Sequence, residues 1–181
     1  GLILFVLAVM QTGEWSKLKY KSAMPAEEEA LVVQVFGKQF EWYFRYHGPD
    51  GEFGTSDDIT SPFHLHIPKD KDIIVQLQTM DVLHSFWLPN VRLKQDLVPG
   101  QTILQWFKCI KTGSYEIVCA ELCGSGHTKM GADMHVHEQA DFDNWLAEQA
   151  AKGEHIPEKD PIWKFWYVRD AAATVAEGSV Q

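Results

Sequence analysis

Cysteine is scarce in this chain, with three residues in 181. That is too few, and too unevenly placed, for a fold stapled by disulfides. No C-x-x-C-H run occurs, which excludes a covalently attached c-type haem. Positive charge is short as well: 16 Lys and Arg face 25 Asp and Glu, a formal net charge of −9. A chain of that sign repels nucleic acid and suits a basic protein partner. No apolar run reaches the roughly 20 residues that a membrane-crossing helix takes. The longest, "GLILFVLAVM" at 1–10, is half of that. There is no internal repeat at a fixed period, so a solenoid or propeller is excluded.

Aromatics, by contrast, are plentiful, with seven Trp and ten Phe. They exclude a disordered chain, and the length suffices for one domain with a real core. "LVVQVFG" (31–37) and "QFEWYFRY" (39–46) alternate or run apolar until Gly48, Pro49, Gly51 and Gly54 break the pattern. "FHLHIP", "DIIVQLQT", "VLHSFWLP", "TILQWFKCI", "SYEIVCA" and "ADMHVHE" follow as short segments separated by turn residues. Strands at such spacing predict an all-β antiparallel sandwich or barrel over residues 21–138. Residues 139–153 predict a helix capped by Asp141, with Phe142, Trp145, Leu146 and Gln149 on one side. Residues 154–181 carry an aromatic cluster from Trp163 to Tyr167 and read as a docking tail. At the other end, residues 1–20 read as the exit end of a transmembrane helix joined partway, with Trp15, Lys17, Lys19 and Tyr20 at the interface.

One stretch concentrates chemistry: "CAELCGSGHTKM" at 119–130. Thiolate and thioether are soft ligands and imidazole is intermediate, a set that favours copper over magnesium or calcium. A mononuclear blue-copper site on a β-sandwich needs one Cys, two His and a weak axial Met. His84 upstream, with Cys119, His127 and Met130 downstream, meets that need and leaves Cys123 over. Two coppers sharing two bridging thiolates use every residue: one His each, Met130 on one metal and a backbone carbonyl between the cysteines on the other. A zinc site of two Cys and two His is the rival, and it leaves Met130 unexplained. A Cys119–Cys123 disulfide would use only two of the four side chains. No position is left open for a substrate, which points to electron transfer rather than bond chemistry.

Other residues have plainer readings. Cys109 reads as a packed strand thiol. His64 with His66, and His135 with His137, are H-x-H pairs on one strand face, a spacing some metal sites use and many exposed strands show. Residues 47–59 read as a solvated hairpin tip; Asp50, Asp57 and Asp58 offer oxygens for calcium, but outside EF-hand spacing. The alternation of Phe40, Trp42, Phe44 and Tyr46 reads as a buried strand face.

"HSFWLPNVRLKQDLVPGQ" followed by "CAELCGSGHTKM" resembles subunit II of cytochrome c oxidase, in its cupredoxin domain with the binuclear CuA centre. The resemblance covers about residues 31 to 146. It implies a Greek-key cupredoxin fold and makes His84, Cys119, Cys123, His127 and Met130 side-chain ligands of two copper ions. Glu121 becomes a ligand through its backbone oxygen, and its carboxylate reaches a magnesium ion shared with subunit I. Lys94 and Asp96 fall where the family faces that subunit. The implied activity is that of the electron-transfer subunit of an oxidase. Cytochrome c reduces the copper pair, and the electron passes to a haem in subunit I, where oxygen is reduced and protons are pumped. The implied place is a membrane-anchored domain on the outer face of an energy-transducing membrane, beside the other oxidase subunits. The family opens its aromatic stretch with a Trp that receives electrons. Here Phe40 stands at that position and Trp42 follows on the same strand face, so both are candidates for electron uptake. Nitrous-oxide reductase shares such a centre but needs a large second copper domain, and "KQDLVPG" points to the oxidase. Quinol-type relatives have lost the copper ligands that this chain retains, and a copper carrier would not need the membrane-proximal start.

Overall fold

A computed structural model describes residues 1–152. The tail at 154–181, with Trp163 to Tyr167, lies outside the described residues. Helix α1 (Leu2–Lys19) precedes ten strands: β1 (Leu31–Lys38), β2 (Glu41–Tyr46), β3 (Ile59–Pro62), β4 (His64–Pro68), β5 (Asp72–Thr79), β6 (His84–Leu88), β7 (Leu93–Leu97), β8 (Ile103–Lys108), β9 (Gly113–Cys119) and β10 (Gly131–His137). Helix α2 (Gln139–Lys152) follows.

The strands form two five-stranded sheets, ordered β3-β2-β1-β5-β8 and β4-β10-β9-β6-β7. Their inner faces meet in one core. Met134 and Val136 of β10 point inward with Leu65 and Ile67 of β4, against Val33, Val35, Phe44 and Val75 of the other sheet. The alternating residues of β4 and β10 therefore face outward. Phe63 marks the corner between sheets. Its backbone takes the left-handed region at φ 63°, its N–H donates to Trp42 in the first sheet, and its carbonyl accepts from Asp133 in the second.

The sandwich is not purely antiparallel. β1 pairs in parallel with β5, and β4 in parallel with β10. Alternation along one strand reveals which face is buried but not the direction of its neighbour, and these partners are distant in sequence.

Helix α2 begins before Asp141, which lies in its first turn rather than at the cap. The Glu138 carbonyl instead accepts from the amides of Asp141 and Phe142. Phe142 is buried, and Trp145 packs edge-on to Tyr46 at 5.3 Å. Every residue of α1 is at least partly exposed, and Lys19 Nζ donates to Gln95 and Gln105 on β7 and β8. No helix among the described residues is long and apolar enough to cross a membrane.

In the 47–59 loop the carboxylates are engaged within the chain. Asp58 pairs with Arg45 at 3.0 Å and accepts from the Gly54 amide at 2.7 Å, while Asp57 accepts from Thr55 at 2.6 Å. The three aspartates do not converge on a common cation position. Cys109 is a free buried thiol, pushed up to about 11 by desolvation.

Candidate metal centre

Three pieces of chain meet at one end of the sandwich. β6 opens on His84, whose ring is fully buried. β9 closes on Cys119, and the 120–130 loop returns through a short turn at His127–Lys129 to Met130, just before β10. The loop is closed at its base by the Cys119 amide, which donates to the Met130 carbonyl at 3.1 Å. The Ala120 amide ties it to β6 by donating to Ser85 at 3.0 Å. Gly124 lies at φ 141°, in the region that favours glycine.

The expected ligands converge. Cys119 Sγ and Cys123 Sγ are 3.9 Å apart. His84 Nδ1 lies 3.9 Å from the first sulfur, and His127 Nδ1 lies 3.6 Å from the second. Met130 Sδ is 3.7 Å from Cys123 Sγ, and the Glu121 carbonyl oxygen is 3.3 Å from Cys119 Sγ. Cys119, Cys123, Met130 and His84 are buried, while His127 is half-exposed at the rim.

Such a donor set fits soft or borderline transition metals. The 3.9 Å between the sulfurs is less than twice a metal–sulfur bond of about 2.3 Å. A metal touching both sulfurs therefore lies off the line between them, with one such position on either side. One imidazole lies beside each sulfur. The set fits a pair of metals sharing two thiolates better than it fits a single ion, which would leave one sulfur or one thioether idle.

Electrostatics prepare the site. Burial pushes the Cys119 thiol up, but bonds from His84 and the backbone outweigh it and bring it down to about 6. Cys123 is pushed up to about 11 by burial and by the charge of Cys119 beside it. One thiolate thus disfavours a second beside it, a repulsion that a bound cation would relieve.

Several residues that hold this site in place were not legible in the sequence. Asp81 Oδ1 lies 2.8 Å from His84 Nε2, leaving Nδ1 aimed at Cys119. Its carboxylate is fixed in turn by the amides of Gln39 and Val82, both at 2.7 Å. These bonds outweigh desolvation and hold Asp81 below the usual carboxylate range. The only signal was an Asp three residues before a candidate ligand. Gly37 packs close to the ligand: a Cβ there would lie 3.0 Å from the His84 ring, which would have to give way. We expect Asp81→Asn to weaken metal binding by about 10- to 100-fold, the range typical when a carboxylate behind a ligating His is lost. Competition with a chromophoric chelator measures this, and unchanged affinity would show that Asp81 does not support the ligand.

The two candidates for electron uptake separate. Trp42 is fully buried, edge-on to His84 at 6.1 Å and to Phe86 at 5.6 Å. It therefore offers no surface to a partner. Phe40 is half-buried and covers the ligand loop; a Cβ on Gly126 would fall 2.4 Å from its ring. Lys94 is exposed on the edge strand β7, Asp96 accepts from Ser85 Oγ at 2.7 Å, and Glu121 is exposed beside Leu122.

The H-x-H pairs come together elsewhere. His64 and His66 on β4 stand in register with Asp133 and His135 on β10, with His137 one step further along.

Known proteins resemble this chain in sequence and in fold. The family model for cytochrome c oxidase subunit II, periplasmic domain, matches residues 31–136. The alternative cytochrome c oxidase subunit 2 of Bradyrhizobium diazoefficiens is 35% identical over 143 residues, covering 67% of this chain and 52% of its own length. Cytochrome c oxidase subunit 2 of Thermostichus vulcanus is 43% identical over 121 residues, covering 67% of this chain and 34% of its own. The chain thus spans between about a third and about half the length of these relatives. The crystal structure of the periplasmic domain of subunit II from Bradyrhizobium japonicum superposes with TM-score 0.62 at 29% identity, covering 71% of this chain and 98% of that one. A mixed-disulfide intermediate between a thioredoxin-like protein and subunit II gives TM-score 0.60 at 28% identity, over 74% and 99%.

Proposed function

This chain belongs to the family of cytochrome c oxidase subunit II periplasmic domains, and from that premise we propose that it is the copper-bearing, electron-accepting domain of a haem–copper oxidase. The observation that carries this reading is a pair of buried thiols 3.9 Å apart, each with its own imidazole. When bound, two copper ions supply a shared one-electron store that takes electrons from a cytochrome c and passes them towards haem in subunit I, where oxygen is reduced and protons are pumped.

The chain's own residues give that store its properties. Cys119, Cys123, His84, His127, Met130 and the Glu121 carbonyl would hold the two ions, with the thiolates and imidazoles as the strong donors and the thioether and carbonyl as the weak ones. Two sheets and the Asp81 bond fix His84 so that little has to move when charge changes. Trp42 and Phe86 exclude water behind it. The exposed Glu121 carboxylate is available to a magnesium ion at the contact with subunit I, and Lys94 and Asp96 belong to the same face. Val82, Leu83 and Leu122 add exposed apolar surface around the ligand loop. Phe40, over that loop, is where electrons arrive. The domain sits on the outer face of the energy-transducing membrane, with residues 1–20 leading from it. A thioredoxin-like reductant suits the pair Cys119 and Cys123 when they oxidise before metal arrives.

Copper loading of the chain, followed by metal analysis and electron paramagnetic resonance, tests the reading. Two coppers per chain and a hyperfine pattern from one electron spread over both nuclei are expected. One copper with a single-nucleus pattern would return the site to the mononuclear class, and one zinc in preference to copper would end the redox reading. The donor is tested by kinetics. With 25 acidic against 16 basic residues, the second-order rate of reduction by a basic cytochrome c should fall as salt rises, since screening acts within about 10 Å at 0.1 M. A rate that is flat with salt would point to a permanently docked donor instead.

A further inference from the structure

Four histidines and an aspartate share the outer face of the second sheet, on β4 and β10. Met130 precedes β10 and His135 lies five residues later, about 16 Å along an extended strand, so this cluster is separate from the copper ligands. His64 Nδ1 lies 3.3 Å from His135 Nε2 and 3.9 Å from Asp133 Oδ2. The three ligand atoms all lie within 4.8 Å of one another.

From this arrangement we propose a second metal site, in which His64, His135 and Asp133 bind a divalent late first-row transition ion such as zinc.

The spacing fits. Two nitrogens bound to one zinc at about 2.0–2.1 Å and a tetrahedral angle stand about 3.3–3.4 Å apart, and the nitrogens of His64 and His135 are 3.3 Å apart. Imidazole with carboxylate suits zinc, copper or nickel, and does not suit calcium or magnesium. Three protein ligands leave one position for water, and the side chains of His64 and Asp133 are 50% and 55% exposed, so an ion can enter from solvent.

Behind the ligands stands a supporting layer. Ser114 Oγ is 2.9 Å from His135 Nδ1. With Nδ1–H donating to that oxygen, Nε2 keeps its lone pair for a metal. His66 Nδ1 is 2.8 Å from His137 Nε2, and the His66 ring is stacked on Trp145 at 4.0 Å. That pair is partly buried and braced by α2, and the His135 ring lies against it at 4.8 Å. The strands supply rigidity: Asp133 is opposite His64 and His135 opposite His66 in one parallel ladder. Ordinary exposed strand histidines need none of this convergence.

Zinc alone is the probe, and the test uses the full chain carrying Cys119→Ser and Cys123→Ser, which removes the copper thiols. Equilibrium dialysis should show one zinc per chain. Adding His64→Ala and His135→Ala should weaken binding by at least about tenfold, since even losing an outer-layer partner costs that much. Nitrogen-15 spectra should place zinc-induced shifts on the imidazoles of His64 and His135. Circular dichroism checks the fold, and the single exposed change His64→Gln serves if the double change disturbs it. Zinc held equally well without His64 and His135, or no zinc retained through dialysis, would overturn the site.

Discussion

Serine at Cys119 or at Cys123 removes the shared-valence signal completely. In the proposed two-copper centre each sulfur would touch both metals, so neither position could be lost while the other preserved the pair. Serine is nearly the same size but offers a hard, weakly acidic hydroxyl that binds copper poorly. The two variants need not behave alike otherwise. Cys123→Ser leaves Cys119 with His84, while Cys119→Ser leaves Cys123 with His127 and Met130, close to a mononuclear ligand set. Cys109→Ser is the control. That thiol is 7% exposed and lies just past the end of β8, beside the Asp70 turn and away from the site, so the signal stays and stability falls by about 1–2 kcal/mol for burying a hydroxyl. Copper counts and paramagnetic resonance read all three. A shared-valence signal surviving in either bridging variant, or lost in the Cys109 one, would reassign the thiols.

That prediction draws on residues whose arrangement was legible in the sequence, because the ligand loop is local. Five of the six expected ligands lie within residues 119–130, so spacing alone brings them near one another, and His84 heads a segment with clear strand character. What holds those ligands was not legible. Asp81, Gln39 and Gly37 act on His84 or on the ligand loop across strands, and no short spacing records that. The parallel pairing of β1 with β5 is hidden for the same reason. The H-x-H alternation showed two outward-facing pairs, but only the ladder between β4 and β10 makes them neighbours.

Phe40 and Trp42 show where alternation fails. Both have the same parity, which suggests one face. Yet β2 begins only at Glu41, so Phe40 belongs to the turn before it and swings over the ligand loop, while Trp42 follows the strand into the core. A residue's parity has meaning only within the strand.

Trp42→Ala is therefore expected to act through stability, not through partner contact. The indole is 0% exposed and packs edge-on against Phe86 and His84. Truncating a buried Trp costs about 3–5 kcal/mol, a large share of the roughly 5–15 kcal/mol that stabilises a domain. Because the cavity opens beside His84, metal affinity should fall with it. Trp42→Phe separates the volume of the ring from its N–H. The indole Nε1 is buried without a hydrogen-bond partner, and an unmet buried donor itself costs about 1–3 kcal/mol. Phenylalanine keeps most of the volume and removes that donor, so it should cost no more than about 1–2 kcal/mol. Phe40→Ala, at a half-buried position, should leave the copper signal intact and slow reduction by cytochrome c. Urea denaturation of the metal-free variants orders the two Trp42 substitutions, and stopped-flow reduction of the loaded ones separates position 40 from position 42. A cost for Trp42→Phe well above about 1–2 kcal/mol would mean that the indole N–H finds a partner in solution. Reduction slowed by Trp42→Phe but not by Phe40→Ala would move electron uptake from the loop to the core.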